Sequence, residues 1–194
     1  DKTLGGQRYE AVEEKGFEPL VEKNLACQGC PLHCSHFLNV KEGKYKGTRG
    51  QGLEGFVQMY ALTFKTPNAP FLGRFNNLCN QLGLNIASVG SAISWAMELW
   101  RNGVISQEDC GGLEVTEGNE GVILELTRQM AYREKFGDIL ADYPLRASQR
   151  LGRDSELYAT HNKGLHAWGF SQGIINSLSY TLALNVATRG FDHL

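Results

Sequence analysis

Nowhere does this sequence run for about 18 apolar residues without a break, the length that a bilayer-spanning helix requires, so no membrane span is expected. The nearest stretch, Leu84 to Trp100, carries Asn85, Ser88, Ser91, Ser94 and Glu98 and reads as a buried helix. Charge of one sign is lacking too. Lys and Arg number 19 against 21 Asp and Glu, and a net charge of −2 leaves no basic footprint for nucleic acid. No apolar signal segment stands at the start, and five cysteines are an odd number, so a disulfide framework is not expected. Internal repeats and low-complexity tracts are absent. Strict apolar–polar alternation is scarce, which argues against strands and for an all-α chain. At 194 residues the chain has material for one good core or two small ones.

What the sequence does have is a knuckle of three cysteines within eight residues, Cys27-Gln28-Gly29-Cys30-Pro31-Leu32-His33-Cys34. Thiolates at C-x2-C-x3-C spacing suit one metal centre better than they suit packing, and Pro31 fixes a torsion inside the loop. Soft sulfur donors match the iron of a four-cysteine cluster, with one ligand still to be found. Zinc takes the same donors, and His33 and His36 stand close enough in sequence to complete such a site. Buried cysteines acting as small hydrophobes are the third reading. Cys79 and Cys110 are isolated and read as buried apolar side chains. Thiolate ligation favours a reducing compartment, so a cytoplasmic location is expected.

The rest of the chain punctuates itself. Residues 1–26 read as one or two short helices with a charged face, and Lys41–Gly52 as a Gly- and Lys-rich loop. Phe56, Val57, Tyr60, Ala61 and Phe64 recur at helical spacing, which predicts a helix over Glu54–Phe64. Phe71, Phe75, Leu78, Cys79 and Leu82 mark the next helix, ended by Gly83. Ile86, Val89, Ile93, Ala96, Met97 and Trp100 make a third stripe, stopped at Asn102-Gly103. A connecting loop over 104–117 carries a helical turn at Ser106–Asp109. Asn119 reads as the N-cap of the following helix. After Gly137 comes a helix that Pro144 kinks or divides, and Ile174–Ala187 reads as helical.

Beyond the knuckle an ordered series follows: Asn80-Gln81-Leu82-Gly83-Leu84-Asn85, Ala96-Met97-Glu98-Leu99, Asn102-Gly103, Arg133 to Ala141 (REKFGDILA), His161-Asn162-Lys163-Gly164-Leu165, and Ala187 to Leu194 (ATRGFDHL). This series, over roughly residues 20–194, resembles the aldehyde:ferredoxin oxidoreductase family of tungsten or molybdenum bis-pterin enzymes. The resemblance implies a multihelical fold around the cysteine loop. Residues 1–152 would form a helical domain carrying that loop, and 153–194 the truncated start of a second. An N-terminal β-rich pterin domain and a downstream stretch bearing the fourth cluster cysteine are expected elsewhere, so the chain reads as a fragment or as one piece of a split enzyme.

Residue by residue, the resemblance implies that Cys27, Cys30 and Cys34 hold a [4Fe–4S] cluster. Asn80, Gly83, Leu84 and Asn85 stand where the family's D-x-x-G-L-D motif binds a pterin, with both aspartates replaced by asparagine. His193 of Arg189-Gly190-Phe191-Asp192-His193 aligns with a histidine that handles protons near the metal. Glu54 falls in the family's acidic segment. The Lys163-Gly164-Leu165 element lacks the Asp and Arg that usually follow it. The implied activity oxidises an aldehyde-like substrate to a carboxylate and passes electrons to ferredoxin or an iron–sulfur subunit. Two rivals from other classes are a non-catalytic iron–sulfur relay and a zinc-stapled helical interaction domain.

Overall fold

The computed structural model describes residues 14–167 and 178–191. Helices dominate, but the all-α expectation is wrong: the fold is mixed, with a three-stranded and a two-stranded antiparallel sheet. The chain divides into two compact units. One comprises residues through Ile86 together with Glu117–Leu124; the other comprises Ala87–Thr116 and residues from Glu125 onward.

In the first unit, helix α1 (Glu14–Phe17) and a 3-10 turn (Glu18–Leu20) lead into β1 (Val21–Leu25), where the sequence predicts only helix. β2 (Ser35–Asn39) and β3 (Arg49–Leu53) complete a sheet ordered β1-β2-β3. Leu25 pairs with Ser35, Ser35 with Leu53, and Asn39 with Arg49. The stretch Lys41–Gly52, read as a loop, is a hairpin turn only as far as Thr48; its last four residues belong to β3. These strands hide from pattern reading for physical reasons. The three central residues of β1 are exposed, so it shows no apolar face. β3 has glycine where inward side chains would stand. A Cβ on Gly50 would lie 2.5 Å from Asn77 Oδ1, and one on Gly52 would lie 2.8 Å from Leu38 Cδ1. Only a strand without Cβ atoms lets its neighbours approach this closely.

Helices α2 (Glu54–Thr63) and α3 (Ala69–Gln81) follow as the 3.6-residue spacing predicts. Asn68 caps α3, its Oδ1 accepting from Phe71 N–H at 3.4 Å, and Pro70 sits in the first turn. Tyr60, Phe64 and Phe75 pack ring to ring with centroids 5.2–5.4 Å apart. All three are at most 1% exposed, and Tyr60 O–H donates to Ile86 carbonyl at 2.9 Å. Glu120 ties the β2–β3 turn to this core, accepting from Tyr45 O–H at 2.6 Å, from Lys44 at 3.2 Å and from Asn68. Burial works to raise the Glu120 carboxyl. The bonds from Tyr45, Asn68 and Lys44 outweigh it and leave the group below its ordinary range.

In the second unit, α4 (Ile86–Arg101) and α5 (Glu120–Tyr132), each entering from the first, supply Ile93, Ala96, Leu99, Leu126 and Met130 to a buried core. The expected turn at Ser106–Asp109 is present, with Asp109 accepting from Ser106 N–H and O–H at 2.8 and 2.9 Å. Asn119 caps α5 through Val122 N–H at 3.3 Å. Pro144 does divide the next helix, into α6 (Lys135–Leu140) and α7 (Tyr143–Leu151). Arg133 and Arg150 each bond both Asp138 and Asp142, lacing the two helices together. A 3-10 turn (Ser155–Tyr158) precedes β4 (His161–Asn162) and β5 (Leu165–His166). Their two-residue turn holds Lys163 at φ 53° and Gly164 at φ 84°, the left-handed pair that twists correctly for a tight hairpin. Helix α8 (Leu178–Val186) matches the described part of the run predicted over Ile174–Ala187; residues 174–177 lie outside the described residues. Among the described residues no helix is long and apolar enough to cross a membrane.

Candidate functional site

The cysteine knuckle is the connection between β1 and β2, anchored where Leu25 pairs with Ser35. Cys30 N–H donates to Cys27 carbonyl at 3.0 Å, closing a turn whose third residue, Gly29, has φ 76°. That torsion is the one glycine supplies without steric cost. Cys27 and Cys34 are exposed, Cys30 is half-buried, and all three are free thiols. His33 donates from Nδ1 to Pro31 carbonyl at 2.9 Å within the loop. His36 leaves the loop altogether. On β2 its Nδ1 donates to Asn24 Oδ1 at 2.9 Å, and its ring meets Phe17 edge-on with centroids 5.5 Å apart. These two contacts fix the orientation of the ring on β2. Cys79 and Cys110 are fully buried, and burial pushes both thiols up to about 12, so neither is poised to ligate.

A [4Fe–4S] cluster needs four thiolates. The three loop cysteines fit it in donor type and by sharing one exposed loop. Among the described residues no three His, Cys, Asp or Glu side chains converge on a point, so the thiols are not gathered in this structure.

At the same end of the sheet, Leu53 pairs with Ser35 and Glu54 opens α2. Asn80 lies one residue before the end of α3. Its Nδ2 donates to Gln51 carbonyl at 2.9 Å, and Asn76, one turn earlier, donates to the same carbonyl. The helix then stops at Gly83 (φ 67°), with Gly83 N–H to Asn80 carbonyl at 3.2 Å and Leu84 N–H to Cys79 carbonyl at 2.9 Å. This is a Schellman cap. A cavity of about 470 Å³ opens between β3 and α3, lined by Gly50, Gln51, Leu53, Asn76, Asn80 and Ile86. Asn80 thus reaches the cavity wall, while Asn85 sits exposed beyond the cap. Gln51 and Asn76 went unnoticed in the sequence. The i, i+4 spacing of Asn76 and Asn80 was the available signal.

His193 and Asp192 lie outside the described residues. The start of their element is placed. A Cβ on Gly190 would stand 2.2 Å from Asn162 carbonyl, so the chain at Gly190 presses on the β4–β5 hairpin. From that hairpin Asn162 donates to the carbonyls of Leu184 and Asn185 at 3.0 and 2.9 Å, and Lys163 to that of Ala187 at 2.7 Å. Both thereby cap the C-terminus of α8. His166 is buried and stacked on Tyr143 with centroids 5.4 Å apart, and burial lowers its pKa.

Residues 2–194 match the family described as aldehyde ferredoxin oxidoreductase, domains 2 and 3. The chain belongs to the aldehyde ferredoxin oxidoreductase family. Among its relatives is a protein of Pyrococcus furiosus called aliphatic sulfonate oxidoreductase, WOR-like subunit. It is 31% identical over 183 residues, which is 89% of this chain and 28% of that protein. The tungsten-containing aldehyde ferredoxin oxidoreductase of Pyrococcus abyssi is 28% identical over 152 residues, 74% of this chain and 24% of that protein. The fold is shared with a chain of the active-site complex BamBC of benzoyl coenzyme A reductase solved with 1,5-dienoyl-CoA. The TM-score is 0.70 at 24% identity, over 86% of this chain and 24% of that one. The chain therefore spans about a quarter of the length of these curated relatives, 28% and 24%.

Proposed function

We propose that this chain is the part of a tungsten- or molybdenum-pterin oxidoreductase that carries the electron exit from the metal. In this reading an aldehyde-like substrate and water become a carboxylate, and the electrons leave singly through a [4Fe–4S] cluster to ferredoxin or a partner subunit. The single observation that carries it is the cysteine loop. Three free thiols sit on one exposed connection, with no competing structural role, at the sheet end where β3 passes into α2. Cys27, Cys30 and Cys34 would hold the cluster, its fourth ligand coming from outside this chain. Bound nearby, the pterin metal would supply the two-electron chemistry. Asn80 would present its Oδ1 to a pterin N–H, its Nδ2 being committed to Gln51. Glu54 and His193 would move protons, as a carboxylate and an imidazole are suited to do. The missing parts of the enzyme complete the site.

The test is metal analysis of the native protein purified without oxygen, with electron paramagnetic resonance of the reduced sample. About four irons per chain and a cluster signal, together with tungsten or molybdenum, are expected. Cys30→Ser should abolish the signal. Zinc alone would refute the redox reading.

A further inference from the structure

Beyond this reading, the first unit carries a second concave site. It lies at the other end of the β2–β3 hairpin from the cysteine loop, where Asn39 pairs with Arg49. Five-residue strands put the two ends roughly 13 Å apart. The pocket, about 290 Å³, is walled by the β2–β3 turn and by α3. Four cations line it: Lys44, Lys46, Arg49 and Arg74. Two of these are spoken for. Lys44 pairs with Glu120, and Arg49 bonds both oxygens of Glu22 at 2.9 and 3.0 Å. Lys46 and Arg74 have no carboxylate partner among the described residues; Arg74 makes only a 3.5 Å bond to Gln81 Oε1.

The wall also contains two buried polar side chains, Thr48 at 6% and Asn77 at 7% exposure. Neither side chain makes a hydrogen bond to any described residue. Thr48 and Asn77 are largely buried, yet neither has a polar atom shut away from solvent without a partner, so both polar ends are free to meet a ligand. A hydroxyl, an amide and two uncommitted cations around one pocket form a donor set for a compact dianion. An apolar ligand satisfies none of them, and a cationic one is repelled by Lys46 and Arg74.

We propose that this pocket binds a tetrahedral oxyanion of the phosphate class, as the free ion or as the phosphate of a small ester. Arg74 offers the planar fork that matches two oxygens of such a group, Lys46 the point charge, and Thr48 and Asn77 the neutral donors. The site is independent of the cysteine loop, so its test does not depend on bound metal.

The experiment is calorimetric titration of the native full-length protein with inorganic phosphate at low ionic strength, alongside phosphorus analysis of small molecules extracted from it. Saturable one-site uptake is expected. It should weaken about a hundredfold in the Lys46→Met, Arg74→Met double variant and about tenfold in Thr48→Val. Lys46→Arg should keep binding, and Lys23→Met, on exposed β1, should leave it unchanged. A phosphate ester extracted from the wild type and missing from the double variant would identify a larger ligand. Uptake by protein carrying no such ester would identify the free ion. Binding that is absent from a wild type free of extractable ester, or that is equal in the double variant, would overturn the proposal.

Discussion

Asn80→Asp would supply the carboxylate that the resemblance places at this position, yet it should destabilise this chain. Asn80 Nδ2 donates to Gln51 carbonyl at 2.9 Å and so pins the end of α3 to β3. An aspartate has no N–H to offer and sets a negative oxygen against that carbonyl. Gln51 keeps its bond from Asn76, so no buried acceptor is orphaned, and the direct loss is one hydrogen bond, about 1 kcal/mol. The charge also stands in the last turn of α3, at the negative end of the helix dipole, for about 0.3–1 kcal/mol more. Asn80 is exposed, so water screens the repulsion, and the total is about 1.5–2 kcal/mol. At about 2–4 °C per kcal/mol for a chain of this size, Tm should fall by about 3–8 °C. Asn80→Ala loses only the bond and should lie between wild type and Asn80→Asp. Thermal unfolding followed by circular dichroism at pH 7 gives the order directly. If Asn80→Asp matches or exceeds wild type, Asn80 does not act as the strut described here, and the asparagine needs another explanation.

Gly137→Ala should cost about 2–3 kcal/mol in urea unfolding, although helix propensity alone favours Ala by about 1 kcal/mol. The new Cβ would lie 2.4 Å from the Gln129 backbone carbon and 2.6 Å from Met130 N. In the metal-free chain, brief iodoacetamide treatment read by mass spectrometry should label Cys27, Cys30 and Cys34. Cys79 and Cys110 should react only after unfolding, being buried with thiols at about 12. Hydrogen bonds from Arg150 and Arg133 depress Asp138, and those from Arg133 and Arg150 depress Asp142. Their stabilisation is complete above the unfolded aspartate value near 3.9 and is lost as pH falls below it. Arg150→Met should therefore flatten the acid limb of a stability–pH profile and leave a smaller difference at the lowest pH.

The helices were legible because their signals are local. Periodic apolar residues, the Asn119 cap, the Gly83 stop and the Pro144 break all act within a few residues of where they stand. The burial of Cys79 was legible for the same reason, since it falls on the apolar stripe of Phe71, Phe75, Leu78 and Leu82. Cys110, in contrast, stands among polar residues and was legible only through its isolation from the other cysteines. The strands were not, because what makes them strands is tertiary. β1 is polar along its middle, and β3 carries Gly50 and Gly52 so that Asn77 and Leu38 can press against it. A glycine that makes room for a neighbour looks, in sequence, the same as one that makes a turn. The site divides along the same line. The cysteine knuckle announces itself because its chemistry resides in side-chain identity and spacing. Gln51 does not, because its contribution is a backbone carbonyl that every residue type possesses. The asparagine at 80 acts through that carbonyl, adding a second N–H to the one Asn76 donates, and an aspartate has none to give. An asparagine at this position therefore serves as a strut between helix and sheet.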